Sequence, residues 1–223
     1  PTGVGVPMIL GGSANAIVVA PGAAMRLPAE AIRRAGPEIA AARALLLQLE
    51  VPAPAVEEAI ELARAAHVEV FLNAAPVVPG AARLCAGADV LIVNESEAEE
   101  LSGRAVGLRP DQAARAARDL HALGPRTVVI TLGERGALLS RGEEAHFVPG
   151  FRVLAVDPTG AGDAFCAGLV CARCGGAAWP AAVELANACG ALAATGVGAT
   201  AGLGGRAAAE ALVRDGLRWV EPA

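Results

Sequence analysis

The sequence predicts an α/β fold: a parallel sheet flanked by helices on both faces, led by part of a small β lid. Three observations predict it. Short, nearly continuous apolar runs at 44–49, 68–72, 89–93 and 126–130 alternate with segments of helical periodicity, the rhythm of βαβ units. A polar residue closes each run: Glu50, Asn73, Asn94 and Thr131. A pair of β-prone runs around glycines stands ahead of that rhythm and outside it.

Taken in order, residues 4–10 and 16–20 flank Gly11-Gly12-Ser13-Ala14-Asn15 and read as a hairpin, a partial lid over 4–20. The run 44–49 is apolar at successive positions and reads as a buried strand. Pro54 opens a helix with Val56, Ala59, Ile60 and Ala63 on one face. Strands follow at 68–72 and 89–93, then a helix at 97–101. A further helix near 111–123 carries Ala113, Ala116, Ala117 and Leu120 on one face. The strand at 126–130 precedes two runs, 138–141 and 145–148, that can pair around Gly142. Beyond a turn at 157–162 the rest is mostly helical. No repeat, linker or charged block divides the chain, so 1–223 reads as one domain.

Composition narrows the function. The chain has 223 residues, 54% hydrophobic and 18% charged, enough for a substantial core. A net charge of -5 with no basic run argues against a nucleic-acid partner. All 18 basic residues are arginines, which excludes a lysine P-loop and Schiff-base chemistry. No apolar run approaches the ~20 residues of a membrane span. Five cysteines without framework spacing, and no signal peptide, point to reduced thiols in the cytoplasm. Cys171 and Cys174 lack a second ligand pair, so they read as buried helical thiols rather than a zinc site. A chain beginning at Pro1 reads as a piece of something longer or a processed product.

The most informative segment is Asp157-Pro158-Thr159-Gly160-Ala161-Gly162-Asp163. Small residues at 160–162 let the backbone turn sharply, present N–H groups and start a helix, which is an anion site. Asp163 then puts a carboxylate where a phosphate would sit. It can stabilise the helix dipole, or it can accept a hydroxyl proton beside the anion. Asn73, Asn94 and Thr131 carry the same two readings, as caps or as site residues beyond strand ends.

Asp157 to Asp163 resembles the D-x-T-G-A-G-D signature of the ribokinase-like (PfkB) carbohydrate kinases. Asn94-Glu95-Ser96-Glu97 is similar to that family's N-x-x-E motif, and Thr131-Leu132-Gly133-Glu134-Arg135-Gly136 to its nucleotide loop. Leu46-Leu47-Gln48-Leu49-Glu50 resembles the segment whose glutamate meets the sugar in the family's ribose kinases. The resemblance runs from about Thr2-Gly3 to Gly198. It implies a ribokinase-like fold and phosphoryl transfer from MgATP to the 5-hydroxyl of ribose. Asp163 would be the base and the amides of Gly160, Ala161, Gly162 and Asp163 the anion hole. It further implies that Asn94, Glu97, Thr131, Leu132, Gly133, Glu134, Arg135, Gly136 and Asn187 bind MgATP, and that Glu50 binds sugar. A K⁺ site is implied at Asp157 and Thr159 with carbonyls of Ala193, Gly196 and Gly198. One further ligand position falls at Gly202. A homodimer is implied as well. One departure stands out: the family's N-terminal third, with its sugar-binding aspartate and G-G-K-G-x-N segment, has no counterpart here. On that reading the 223 residues alone bind MgATP and do not phosphorylate ribose. Another sugar or a nucleoside as substrate, or a non-catalytic nucleotide-binding remnant, stay open.

Overall fold

The structure is a computed structural model that describes residues 1–9, 15–107 and 110–220. Strands β1 (Val4–Ile9) and β2 (Asn15–Ala20) form a separate antiparallel pair, with Val4 opposite Ala20. The expected glycine turn between them lies outside the described residues. The main sheet has six strands in sequence order: β3 (Ala44–Leu47), β4 (Glu69–Asn73), β5 (Val90–Val93), β6 (Thr127–Thr131), β7 (Gly136–Arg141) and β8 (Glu144–Pro149). The first four run parallel, and β7 and β8 turn back antiparallel. The sheet is therefore mixed. Its parallel part is where helical segments separate the strands, and its antiparallel part is where Arg141 to Glu144 leaves room only for a tight turn.

Side-chain alternation sorts the core into two layers. Val70, Leu72, Leu91, Val93, Val128 and Ile130 face one side. There they meet α3 (Ala53–Ala65), α4 (Ala81–Cys85), α5 (Glu95–Ser102) and α6 (Pro110–His121). Phe71, Val90, Ile92 and Val129 face the other side and meet α7 (Ala161–Cys174) and α8 (Trp179–Ala193). The apolar stripe Ala113, Ala116, Ala117, Leu120 of α6 is fully buried, as its spacing requires. Small alanines bring these helices close to the sheet. A smaller cluster joins Phe151 and Ala188 to Ala209 of α9 (Arg206–Asp215).

Three expectations change. The run at 44–49 is not a strand buried on both faces: β3 is an edge strand, half-buried, with Leu46 37% exposed. Among the described residues its one neighbour is β4, so continuous apolarity here does not mean two covered faces. Cys171 is exposed on α7 rather than buried, because it falls opposite the face that Leu169 and Ala172 turn to the sheet. Two short helices, α1 (Ala29–Arg34) and α2 (Gly36–Ala40), went unpredicted, since neither is long enough to show a period. Arg33 of α1 is tied to Glu58 of α3 at 3.0 Å. Among the described residues no helix is long and apolar enough to cross a membrane.

The layers predict unequal costs for one chemical change. Leu91→Ala, in a fully buried central strand, should lower unfolding free energy by ~2–5 kcal/mol. Leu46→Ala on the edge should cost well under half of that. Denaturant melts of both variants check it, and equal losses would contradict the edge assignment.

Candidate active site

The carboxyl ends of the four parallel strands lie along one side of the sheet, where loops can gather polar groups. Gln48 follows β3, Asn73 ends β4, Asn94 follows β5 and Thr131 ends β6. Asn73 donates from Nδ2 to the carbonyl of Ile92 at 3.1 Å, which fixes its amide. Gln48 Nε2 then stands 3.5 Å from Asn73 Oδ1 and donates to Asp163 Oδ1 at 2.9 Å. The second contact is the real hydrogen bond; the first is at the limit of one. Two segments 115 residues apart in sequence meet at that carboxylate. Gln48 was not anticipated, although it sits two residues before Glu50 in the segment singled out. Glu50 is exposed and has no recorded bond to Asp163.

Asp163 occupies the first turn of α7. The helix begins after Gly160, whose φ of 82° is left-handed, and no side chain caps it. A Cβ at Gly160 would lie 2.7 Å from the carbonyl oxygen of Ala199, so glycine is required both by conformation and by space. The expected four-amide anion hole is smaller than the motif suggests. The N–H of Ala161 is given to the carbonyl of Pro158 at 3.0 Å. Among the described residues the N–H groups of Gly160, Gly162 and Asp163 keep no recorded backbone acceptor, as first-turn donors do.

Asn94 and Glu97 form a full capping box on α5. Asn94 Oδ1 accepts from the Glu97 N–H at 2.9 Å, and Glu97 Oε2 accepts from the Asn94 N–H at 2.8 Å. The cap reading and the site reading of Asn94 thus coexist. Burial pushes the Glu97 carboxyl above its ordinary value, partly offset by the Asn94 N–H. Burial foremost, with smaller contributions from the Asp163 and Glu97 carboxylates, pushes the Cys166 thiol up to about 12.

Next to the α7 terminus opens a cavity of about 770 Å³. Thr131, Gly133, Glu134, Gly136 and Asn187 line it, together with Ala161 and Gly162. Asn187 is buried and donates to the carbonyl of Val148 at 3.0 Å, so its side chain is held in one orientation. Gly136 cannot be replaced: its φ is 115° and a Cβ would lie 2.2 Å from the carbonyl of Val148. The loop's other two residues do not face the cavity. Leu132 is buried in the core, and Arg135 pairs with Glu95 at 2.5 Å, tying the nucleotide-like loop to the start of α5.

Asp157 clamps two loops together. Its Oδ1 accepts from the Thr159 N–H and hydroxyl at 3.0 and 2.6 Å, and its Oδ2 accepts from the Gly198 N–H at 2.8 Å. Of the residues expected around a cation, hydrogen bonds thus join Asp157, Thr159 and Gly198. The three donors, the Thr159 hydroxyl foremost, hold the Asp157 carboxyl below its ordinary value.

Comparison with known proteins places this geometry. A family model described as pfkB family carbohydrate kinase matches residues 5–204. A ribokinase of Haemophilus influenzae is 37% identical over 199 residues, covering 89% of this chain and 64% of that protein. A deoxyribokinase of Salmonella typhi is 39% identical over 166 residues, covering 74% and 54%. The chain therefore spans less than two thirds of the length of these relatives. The crystal structure of a ribokinase from Thermotoga maritima superposes with a TM-score of 0.83 at 30% identity, covering 96% of this chain and 70% of that one. An Arabidopsis thaliana ribokinase, solved with ribose and ATP, gives 0.79 at 28%, again covering 96% and 70%.

The Asp157 clamp is testable without any ligand. Its folded pKa lies below its unfolded one, so its contribution is complete above the ordinary carboxylate range and is lost as pH falls through the folded value. Amide exchange at Thr159 and Gly198, relative to intrinsic rates, should lose protection on acidification. Asp157→Asn should remove that acid step at both amides. A variant that keeps the step would show that another group produces it.

Proposed function

This chain belongs to the pfkB family of carbohydrate kinases, and we propose that it transfers the γ-phosphoryl group of MgATP to the 5-hydroxyl of D-ribose. The observation that carries the proposal is the hydrogen bond from Gln48 to Asp163 at the mouth of α7. There Asp163 accepts a donor arriving from the strand ends, which supports a sugar hydroxyl taking that position. In the proposed reaction Asp163 accepts the hydroxyl proton while that oxygen attacks the γ-phosphorus in line. The bond to the β–γ bridging oxygen breaks, and ADP leaves. The N–H groups of Gly162 and Asp163, with Gly160, stabilise charge on the equatorial oxygens. Gln48 and Asn73 orient the sugar, with Glu50 as a further hydroxyl partner.

Two ions fit the residues present. Mg²⁺ prefers one or two carboxylates plus phosphates, and Asn94 and Glu97 would hold it; a half-buried carboxylate pushed upward by burial gains from such a cation. Its chemistry is neutralisation of phosphate charge. K⁺ would sit by the Asp157 clamp with the Thr159 carbonyl and carbonyls of Ala193, Gly196 and Gly198. With no lysine in the chain, backbone donors and Arg152 on the cavity wall, together with Mg²⁺ when bound, would carry the electrostatic task. A homodimer is part of the reading: β1 and β2 expose Val4, Val6, Val18 and Val19 by 52–59%, apolar surface that a second copy would cover.

A second substrate is favoured by one observation, the deoxyribokinase match at 39% identity. Ribose and 2-deoxyribose differ by a single hydroxyl, and none of the residues assigned here to the 5-hydroxyl distinguishes them.

Three measurements test the proposal. In the complete gene product, Asp163→Asn should lower ribose phosphorylation by ~10²–10⁴ and leave MgATP affinity nearly unchanged. Turnover near wild type would remove Asp163 as base. For the 223-residue chain, calorimetry should show MgATP binding and little ribose binding, because Gln48, Glu50, Asn73 and Asp163 make only part of a hydroxyl shell. Tight ribose binding would contradict that partial shell. Replacing K⁺ by a bulky organic cation should slow turnover several-fold; equal rates would remove the cation site.

A further inference from the structure

The cavity has one wall that the family match does not reach. The match ends at residue 204, yet Trp219 and Val220 line the same space as Thr131, Gly136 and Asn187. The segment carrying them is pinned at several points. Phe151 and Arg218 form an antiparallel bridge, with Arg152 N–H donating to the Leu217 carbonyl at 2.8 Å and Trp219 N–H to the Gly150 carbonyl at 2.9 Å. The Arg218 guanidinium lies 4.0 Å over the Phe151 ring and donates to Glu184 of α8 at 2.7 Å. The Trp219 ring meets Phe147 of β8 edge-on, with centroids 6.1 Å apart and planes at 73°. The backbone contacts hold the segment in place, and the Phe147 contact holds the indole, before any ligand arrives.

We propose that Trp219 is a specificity-determining residue that contacts the base of the bound nucleotide. This deepens the kinase reading and rests on it. The cavity joins two unlike surfaces. At Gly162 it meets first-turn N–H donors, which suit phosphate oxygens. At Trp219 it meets a flat apolar ring that offers no acceptor and a single donor, which suits the face or edge of a purine and not a phosphate. A ring already held by Phe147 and the Phe151–Arg218 bridge loses little freedom on contact, so the contact contributes to affinity with small ordering cost.

The chain has two tryptophans, and the other, Trp179, is buried beneath Arg173 in the α7–α8 layer, so it serves as an internal reference. The test titrates wild type, Trp219→Phe and Trp219→Ala with ATP and with inorganic tripolyphosphate, by intrinsic fluorescence and by calorimetry. ATP should change wild-type emission, and the change should vanish in Trp219→Phe, which keeps a ring against Phe147 and retains most of the affinity. Trp219→Ala should raise the Kd for ATP by about tenfold, a typical loss for one base–aromatic contact. Its Kd for tripolyphosphate, which has no base, should not move. Calorimetric ATP binding with no fluorescence change would overturn the Trp219 contact and leave the kinase reading standing. Equal weakening of ATP and tripolyphosphate would also overturn it, showing a general disturbance of the cavity. No ATP binding by the wild type would overturn both.

Discussion

Everything chemical in this molecule depends on how the first turn of α7 is seated. A chain entering a helix at the carboxyl edge of a sheet must bend sharply, and the bend here is made at Gly160, whose backbone is left-handed and where a Cβ would lie 2.7 Å from the Ala199 carbonyl oxygen. Asp157 secures the same bend from the other side, drawing Thr159 and Gly198 onto one carboxylate. With the turn fixed, Asp163 has one place to go, within reach of Gln48 at the end of β3. Local backbone conformation thus sets a contact across 115 residues of sequence.

Electrostatics follows from that seating. The chain has no lysine; Arg135 pairs with Glu95 and Arg218 with Glu184, while Arg152 lines the cavity itself. Positive character at the cavity comes from Arg152 and from N–H dipoles at the start of α7, the latter needing no desolvation of a side chain. Negative character comes from the carboxylates of Asp163 and Glu97, both of which raise the Cys166 thiol further than burial alone does. The proposed MgATP, a polyanion that carries its own divalent cation, suits such an arrangement.

Much of this was legible in the sequence because the relevant patterns are local. Spacing gave the buried stripe of α6, and glycines with an aspartate gave the turn into α7. What escaped depends on the neighbours a segment acquires. The run 44–49 is as apolar as β5, yet only topology makes one an edge and the other central. Gln48 carries no motif of its own; its role emerges only when β3 and α7 meet. Leu132 and Arg135 sit inside a nucleotide-like loop but face the core and Glu95, since a tight 3₁₀ turn at Gly133–Arg135 points successive side chains in different directions. Asn94 could be read as a cap or as a ligand, and its geometry makes it one half of a capping box with Glu97, which the site reading accommodates.

The claim beneath the rest is that the backbone at Gly160 creates the anion site. Calorimetric titration of MgATP into Gly160→Ala, with circular dichroism to follow the fold, tests it most directly. The account predicts a folded protein, since the substitution lies in a turn outside the two main core layers, whose affinity for MgATP falls at least tenfold because the first-turn N–H groups are displaced. Wild-type affinity in a folded Gly160→Ala protein would contradict it.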